Sequence, residues 1–227
     1  RREGRLMPRT VLVVGGSGFV GGHIVNRLAA AGDRVVVPTR RRDNARALFL
    51  LPTVNVVETD VGDPRSLPRL AEGADAVVNL VGILNEAGGA TFSRAHVEVT
   101  RNAIAACKAA GVSRFVQMSA LNAAADGPSD YQRSKAEAEA AVRDSGLDWT
   151  IFQPSVIFGP GDSFLNMFAK LARILPVIAL PGAGVRFQPV YVGDVAACFV
   201  RTLDLDAAIG QRYPLCGPNV YTLRELV

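Results

Sequence analysis

The chain has 227 residues, of which 49% are hydrophobic, and it carries a formal net charge of +4. That length fits one large domain or one domain with a small appendage, and the hydrophobic content excludes a disordered chain. The longest apolar run, residues 171–180, is broken by Arg173 and Pro176 and falls short of the ~20 residues that span a bilayer, so no transmembrane segment is predicted.

A strand, a glycine-rich turn and a helix follow one another near the start of the chain. Residues 11–14 are four consecutive apolar residues, typical of a buried parallel strand, and an apolar-periodic helix runs to about Ala31. Between them lie Gly15, Gly18 and Gly21. The first permits a tight turn, the second lets a phosphate approach the backbone, and the third lets the helix pack closely on the sheet. The N–H groups that open the helix would hold a pyrophosphate, so the segment predicts dinucleotide binding.

Strands and helices alternate from this segment as far as Pro154. We predict strands at residues 11–14, 35–37, 54–57, 76–81, 114–118 and 148–153. Helices are predicted between them, up to about residue 31 and then over residues 42–48, 66–71, 91–110 and 129–145. This alternation predicts right-handed βαβ units, and hence an α/β, Rossmann-type doubly wound parallel sheet.

The end of the second strand carries cations where an NAD-specific site usually carries an acid. Thr39 and Arg40 stand there, with two more arginines behind them. A guanidinium can bind a 2′-phosphate bidentately, whereas a carboxylate would repel it. The alternative is a solvated helix start, where cations are mildly unfavourable. We therefore predict NADP(H) as the cofactor, with NAD(H) as the alternative. The same arginine run is the only dense basic one, which makes nucleic-acid binding a poor prediction.

Asp60 ends the third strand and is followed by Val61. A carboxylate at this edge can accept a hydrogen bond from the amino group of adenine. It can equally cap the start of the next helix. The sequence leaves both interpretations open.

Tyr131 and Lys135 are four residues apart on a predicted helix, so the phenol and the ammonium share one face. A nearby ammonium favours the phenolate, so we expect it to lower the pKa of the tyrosine and make a usable acid or base. The lysine could also hold the nicotinamide ribose. Ser119, at the end of the preceding strand, could donate to a substrate carbonyl. These three residues are the predicted catalytic residues.

Beyond Pro154 the alternation weakens. We predict turns at residues 158–163 and 180–184, a helix at residues 164–175, and a short strand with a helix within residues 190–203. Thr222 and Glu225 form a capping box that opens a helix, so we expect the chain to continue past Val227. We assign residues 7–154 to a nucleotide-binding domain, and residues 155–227 to a small, incomplete substrate or lid region interleaved with it.

The three cysteines are odd in number and widely separated at positions 107, 198 and 216. They lack the spacing of metal ligands, so no metal site is predicted. Reduced structural thiols and the lack of a signal peptide favour a cytoplasmic protein.

Several motifs occur together in one order along the chain. They are the glycine turn, Asp60-Val61, residues 79–82, the Tyr131/Lys135 pair, residues 153–160 and residues 190–196. This set resembles the short-chain dehydrogenase/reductase superfamily, in its extended or atypical branch. The resemblance implies that Pro154 and Val156 lie near the nicotinamide. Further cofactor contacts are implied for Ser17, Phe19, Val20, Val61, Leu80, Val81 and Gly82.

Three segments carry a narrower resemblance, namely residues 51–58, 78–86 and 118–123. They are similar to bacterial relatives of the NADPH-binding accessory subunit of respiratory complex I. This implies a membrane-complex or quinone-related partner, a peripheral location at the inner membrane, and a structural rather than an electron-transfer role. The chain departs from catalytic members at Ala120, His96 and Gln153, where Ser or Thr, Asn and Arg are usual.

Three hypotheses for function follow. The first is an NADP(H)-binding oxidoreductase that acts on a carbonyl or alcohol of unknown structure. The second is a cofactor-holding structural or redox-sensing subunit without turnover. The third is a sugar-nucleotide epimerase or dehydratase, which the short linker from Ser119 to Tyr131 disfavours.

Overall fold

A parallel β-sheet forms the centre of the computed structural model, which describes residues 8–162 and 184–226. Its strands are β1 (Thr10–Val14), β2 (Arg34–Thr39), β3 (Val54–Glu58), β4 (Ala76–Asn79), β5 (Arg114–Met118), β6 (Asp148–Pro154) and β10 (Gln211–Leu215). They lie in the order β3-β2-β1-β4-β5-β6-β10, and each neighbouring pair is parallel. The first six repeat the strand order of the doubly wound nucleotide-binding fold, which confirms the predicted fold class.

Helices cover both faces of this sheet. They are α1 (Phe19–Ala30), α2 (Pro68–Ala71), α3 (Val99–Ala110), α4 (Asp130–Arg143) and α5 (Val192–Thr202). A last short helix, α6 (Leu223–Leu226), lies near the end of the described chain. Alternate residues of β1 point to opposite faces because a strand has a period of two. Val11 and Val13 join the core with α1 and α5, whereas Leu12 and Val14 join the core with α2, α3 and α4.

Strand β1 lies between β2 and β4, and this order determines where a ligand-binding crevice forms. The chain leaves β1 toward one edge of the sheet and later returns to build the other half outward from β4. The carboxyl ends of β1 and β4 therefore border a crevice at the switch point, where ligands of open α/β sheets bind.

Two predicted helices differ in detail from the observed ones. Residues Arg42–Leu48 form a 3-10 segment with non-helical backbone angles at Ala45. The predicted helix at 91–110 opens with a π-helical turn, Ser93–Glu98, before α3. Such turns carry one extra residue in the helix and are frequent at functional sites.

Strand β10 was missing from the sequence-based predictions. It contains Pro214 and exposed polar residues, and it lies at the edge of the sheet, where proline is tolerated. Short two-residue strands complete the described chain: β7 (Ile157–Phe158) pairs with β9 (Val190–Tyr191), and β8 (Arg186–Phe187) pairs with β11 (Tyr221–Thr222).

The predicted C-terminal features have mixed outcomes. The strand and helix within residues 190–203 are confirmed as β9 and α5. The capping box is also confirmed, because the Thr222 and Glu225 side chains each accept from the other's backbone N–H. The predicted helix at 164–175 and most of the turn at 180–184 lie outside the described residues. The division into two regions at residue 154 stays a prediction. None of the helices in residues 8–162 and 184–226 has the length and apolarity needed to cross a bilayer.

Candidate functional site

The turn after β1 lies directly against the end of β4. Gly15 has φ +85°, a left-handed conformation that favours glycine. A Cβ added there would lie 3.2 Å from backbone atoms of both Leu80 and Val81. The structure thus brings together the predicted glycine turn and two of the predicted contacts after β4.

The start of α1 is open to a ligand. Gly18 is the N-cap residue, it is exposed, and a Cβ on it would meet only the Gly15 carbonyl oxygen, at 3.3 Å, among the described residues. A Cβ at Gly21 would instead overlap that same oxygen. Gly18 therefore leaves space above the turn, and Gly21 lets the helix lie close to it, an arrangement with room for a pyrophosphate.

The other predicted residues of this segment support the turn. The Ser17 hydroxyl lies 3.4 Å from Thr39 Oγ1 at the end of β2. Val20 is buried in the core, while Phe19 is half-buried with its ring 5.7 Å from that of His23. Ser17 and Phe19 thus lie at the rim of the crevice.

The end of β2 presents cations to solvent. Thr39 is buried and its hydroxyl donates to the Arg41 carbonyl, which turns the chain so that Arg40 is exposed. A carboxylate missed by the sequence analysis, Glu58, is in register with Thr39 on β3. It accepts from the backbone N–H of Arg42 at 3.1 Å.

Asp60 and Val61 follow β3 in a tight turn. One Asp60 carboxylate oxygen accepts from the Gly62 N–H at 2.9 Å, a local cap of a turn rather than of α2. The Asn102 side chain on α3 donates to the carbonyls of Val61 and Gly62. Both predicted residues are thereby fixed at the edge of the crevice.

Tyr131 and Lys135 lie on the first turns of α4. Ser129 and Gln132 form a complete capping box that fixes where this helix begins. Lys135 is 3% exposed, and its Nζ lies 2.9 Å from where a Cβ on Gly82 would stand. Glycine at position 82 thus makes room for the ammonium beside the end of β4.

Burial shifts the pKa of both residues of this pair. It lowers the pKa of Lys135 to about 8, against the opposing effect of Glu139, which favours the charged ammonium. It raises the pKa of Tyr131. The expected lowering of the tyrosine pKa by Lys135 is therefore wrong, because burial of the phenol disfavours the charged phenolate. Tyr131 is a neutral phenol at neutral pH, the state that donates a proton.

Ser119 directly follows β5, and its hydroxyl is buried. Its backbone N–H donates to Phe152, and its side chain is 4% exposed without a hydrogen-bond partner among the described residues. A buried hydroxyl without a partner costs free energy unless a ligand satisfies it. Ser119 is therefore ready to contact a ligand at this edge of the sheet.

Glu139 is a buried carboxylate that the sequence analysis missed. It accepts from Gln153 Nε2 at 2.8 Å and from Arg212 Nη1 at 3.3 Å. Its position four residues after Lys135, on the same helix face, was the available signal. Gln153 and Arg212, the latter from β10, together satisfy this charge.

A small apolar cleft adjoins Pro154 and Val156. Pro154 is in register with Leu215, and the Val156 carbonyl accepts from the N–H of Val190. Leu215 and Val190 line the cleft, whose volume is about 520 Å³. Asp194 is its one charged lining residue within the described chain. No group of three or more potential metal ligands occurs in residues 8–162 and 184–226.

Residues 15–162 match a family described as NAD(P)H-binding, a region that begins at the first motif glycine and includes Tyr131 and Lys135. The chain belongs to this NAD(P)H-binding family. The family assignment agrees with the open turn at Gly18 and supports a nicotinamide cofactor.

Proteins with different names are similar in sequence to the chain. NADH dehydrogenase [ubiquinone] 1 alpha subcomplex subunit 9, mitochondrial, of Arabidopsis thaliana is 37% identical over 94% of the chain and 55% of its own length. Ceramide reductase of Caulobacter vibrioides is 36% identical over 85% of the chain and 61% of its own length. The chain thus spans little more than half of these relatives.

The fold is also found in solved structures. The Bordetella bronchiseptica enzyme WbmH, solved in complex with NAD⁺, superposes with a TM-score of 0.80 over 96% of the chain and 79% of its own. The sequence identity is 23%, so this likeness concerns the fold alone.

Proposed function

We propose that the chain binds NADP(H) at the carboxyl edge of its sheet and is an oxidoreductase that acts on a carbonyl or an alcohol. The observation that carries this proposal is the buried Lys135 ammonium against Gly82, at the same edge as the partner-free Ser119 hydroxyl. Pro154 and Val156 would border the nicotinamide, and the adjoining apolar cleft would take part of the substrate.

The roles of the residues follow from their protonation and burial. When bound, the nicotinamide supplies or accepts a hydride. In the reducing direction, Tyr131 donates its proton to the oxygen of the substrate, a role that suits a phenol kept neutral by burial. Ser119 donates a hydrogen bond to the same oxygen. Lys135 binds ribose hydroxyls through its ammonium and stabilises the phenolate that remains.

The preference for NADP(H) rests on the end of β2. Arg40 is exposed there and free to meet a 2′-phosphate. Glu58, which could otherwise favour ribose hydroxyls, already accepts from the backbone of Arg42. Asp60 would hold the adenine edge with the carboxylate oxygen that does not bind Gly62.

A second function, a cofactor-holding subunit without turnover, is favoured by the identity to the mitochondrial NADH dehydrogenase subunit. In that case the chain would associate peripherally with a membrane complex. Ala120 and Gln153, where catalytic members of the resembled superfamily carry other residues, fit this alternative. A sugar-nucleotide enzyme is less well supported, because the described lining of the apolar cleft contains no arginine or lysine for a diphosphate.

The test has two parts. Titration of the purified protein with NADPH and NADH measures whether it binds a nicotinamide cofactor and which one it prefers. Oxidation of NADPH in the presence of a panel of aldehydes, ketones and quinones, followed by nicotinamide absorbance, then separates the two functions. Tight NADPH binding with turnover supports the oxidoreductase, and tight binding without turnover supports the holding subunit. Absence of binding to both cofactors would overturn both.

A further inference from the structure

The buried imidazole of His96 packs against the ring of Tyr131. It lies in the π-helical turn before α3 and is 1% exposed. The Phe92 ring stacks on it at 5.5 Å between centroids, with 25° between the planes. The Tyr131 ring meets it edge-on at 5.4 Å and 85°. The position of the tyrosine ring therefore depends on the imidazole.

Both nitrogens of this imidazole are engaged, by different segments of the chain. Nε2 lies 3.1 Å from the backbone nitrogen of Ile83, which can only donate. Nδ1 lies 2.8 Å from Ser134 Oγ, and that hydroxyl donates to the Tyr131 carbonyl at 2.9 Å. A hydroxyl has one proton to donate, so Nδ1 is the donor to Ser134. The two bonds together define a neutral imidazole with its proton on Nδ1.

Ile83, which donates to His96 Nε2, is the neighbour in sequence of Gly82, against which Lys135 packs. Ile83 follows Gly82, and His96 Nε2 lies 3.6 Å from where a Cβ on Gly82 would stand. His96 thus connects the segment after β4 to α4, which carries both Tyr131 and Lys135. Burial and the charge of Lys135 lower the pKa of His96 to about 4, so the connection is intact at neutral pH.

We propose that His96 is a positioning residue which, as a neutral Nδ1–H imidazole, holds the Gly82–Ile83 segment and the Tyr131 ring in place for the cofactor. The proposal rests on the proposed cofactor site. It assigns His96 no proton transfer, since Nε2 is occupied by Ile83 and Nδ1 by Ser134. The imidazole acts through the groups that it holds.

The tautomer is tested first, in the wild-type protein. The chain contains two histidines, so its ¹⁵N NMR spectrum shows the signals of two imidazole side chains. A His23→Asn variant removes one set and thereby assigns the other to His96. At pH 7 we expect His96 to be neutral and protonated on Nδ1. An Nε2–H tautomer or an imidazolium at this pH would overturn the proposal. This measurement needs neither cofactor nor substrate.

The positioning role is tested by two substitutions, of which one keeps the aromatic ring and the other keeps a hydrogen-bond acceptor. His96→Phe keeps an aromatic ring for Phe92 and Tyr131 but removes both nitrogens. His96→Gln can return an acceptor to the N–H of Ile83. We expect His96→Phe to weaken NADPH binding by about tenfold or more, because the partly buried N–H of Ile83 loses its acceptor. We expect His96→Gln to recover most of that loss.

Thermal unfolding separates positioning from general destabilisation. If His96→Gln and His96→Phe unfold at the same temperature while only the former binds NADPH well, the positioning role is supported. Equal NADPH affinity of both variants and the wild type would overturn it while leaving the proposed function intact. Failure of the wild type itself to bind NADPH or NADH would instead overturn the proposed function.

Discussion

The ammonium of Lys135 occupies the space that a side chain at position 82 would fill, 2.9 Å from the Cβ that Gly82 lacks. The lysine is only 3% exposed, and its ammonium packs against the backbone that follows β4. A ligand bound by the ammonium would therefore lie close to the backbone of Gly82.

Gly82→Ala should weaken the binding of NADPH by about tenfold, since the methyl group displaces the ammonium from its place. The fold should tolerate the change, because the atom in the way is the far end of a flexible side chain. Titration calorimetry and thermal unfolding of the variant measure the two effects. Gly22→Ala is the matched control, because a Cβ there meets nothing within 4 Å among the described residues. An unchanged NADPH affinity of Gly82→Ala would contradict this prediction.

Gly18→Val should abolish dinucleotide binding while the protein stays folded. The added side chain would stand over the turn after β1, where a pyrophosphate must approach the N–H groups of α1. The backbone at Gly18 has φ −81°, which valine can adopt. Calorimetric titration with NADPH measures the loss of binding, and a circular-dichroism spectrum shows whether the variant stays folded. Binding retained at wild-type affinity would show that the pyrophosphate lies elsewhere.

Arg40→Ala should cost about 1.5–3 kcal/mol of NADPH binding and leave NADH binding nearly unchanged, because the charge-assisted contact to the 2′-phosphate is lost. Arg46→Ala is the matched control, since Arg46 lies on the following 3-10 segment and pairs with Asp43 instead. Titrating both cofactors against the three proteins gives the result. Equal affinity of the wild type for NADPH and NADH would exclude an NADP(H) preference.

The order of the strands and the position of the glycine turn could be predicted because both follow from local patterns. Apolar runs and glycine spacing need no knowledge of distant contacts. The partners of Glu139 could not be predicted in this way. Arg212 is 73 residues away and lies on β10, an edge strand whose sequence gives little sign of a strand. Arg212 reaches the Glu139 carboxylate only because β10 pairs with β6 in the folded sheet.

The electrostatics of the site were harder still to predict. The spacing of Tyr131 and Lys135 places them on one face of α4, but the sign of the tyrosine pKa shift depends on how deeply the phenol is buried. Likewise, the sequence marks His96 only as a departure from a family pattern. Its two hydrogen-bond partners become visible only when the π-helical turn is packed against α4.

The buried Lys135 should make stability depend on pH in the alkaline range. Its pKa in the folded protein is lowered to about 8, whereas the unfolded chain keeps the ordinary value of 10.5. Between these values the unfolded state binds more protons, so the free energy of unfolding should rise with pH, by up to about 3 kcal/mol across the window. Chemical denaturation of the wild type and of Lys135→Met at a series of pH values measures the difference. Parallel curves for the two proteins would mean that Lys135 is not desolvated in the folded state.

Tyr131→Phe decides between the two proposed functions, because it removes one hydroxyl and keeps the ring that packs against Phe92 and His96. An active reductase should lose about 10²–10⁴-fold in turnover, the range for a missing general acid, with NADPH affinity nearly unchanged. Lys135→Met should weaken NADPH binding under either function, since the ammonium would hold the ribose in both. It therefore serves as the positive control for the integrity of the site. If Lys135→Met loses the cofactor while Tyr131→Phe alters neither turnover nor phenotype in cells, the oxidoreductase proposal fails and the cofactor-holding one stands.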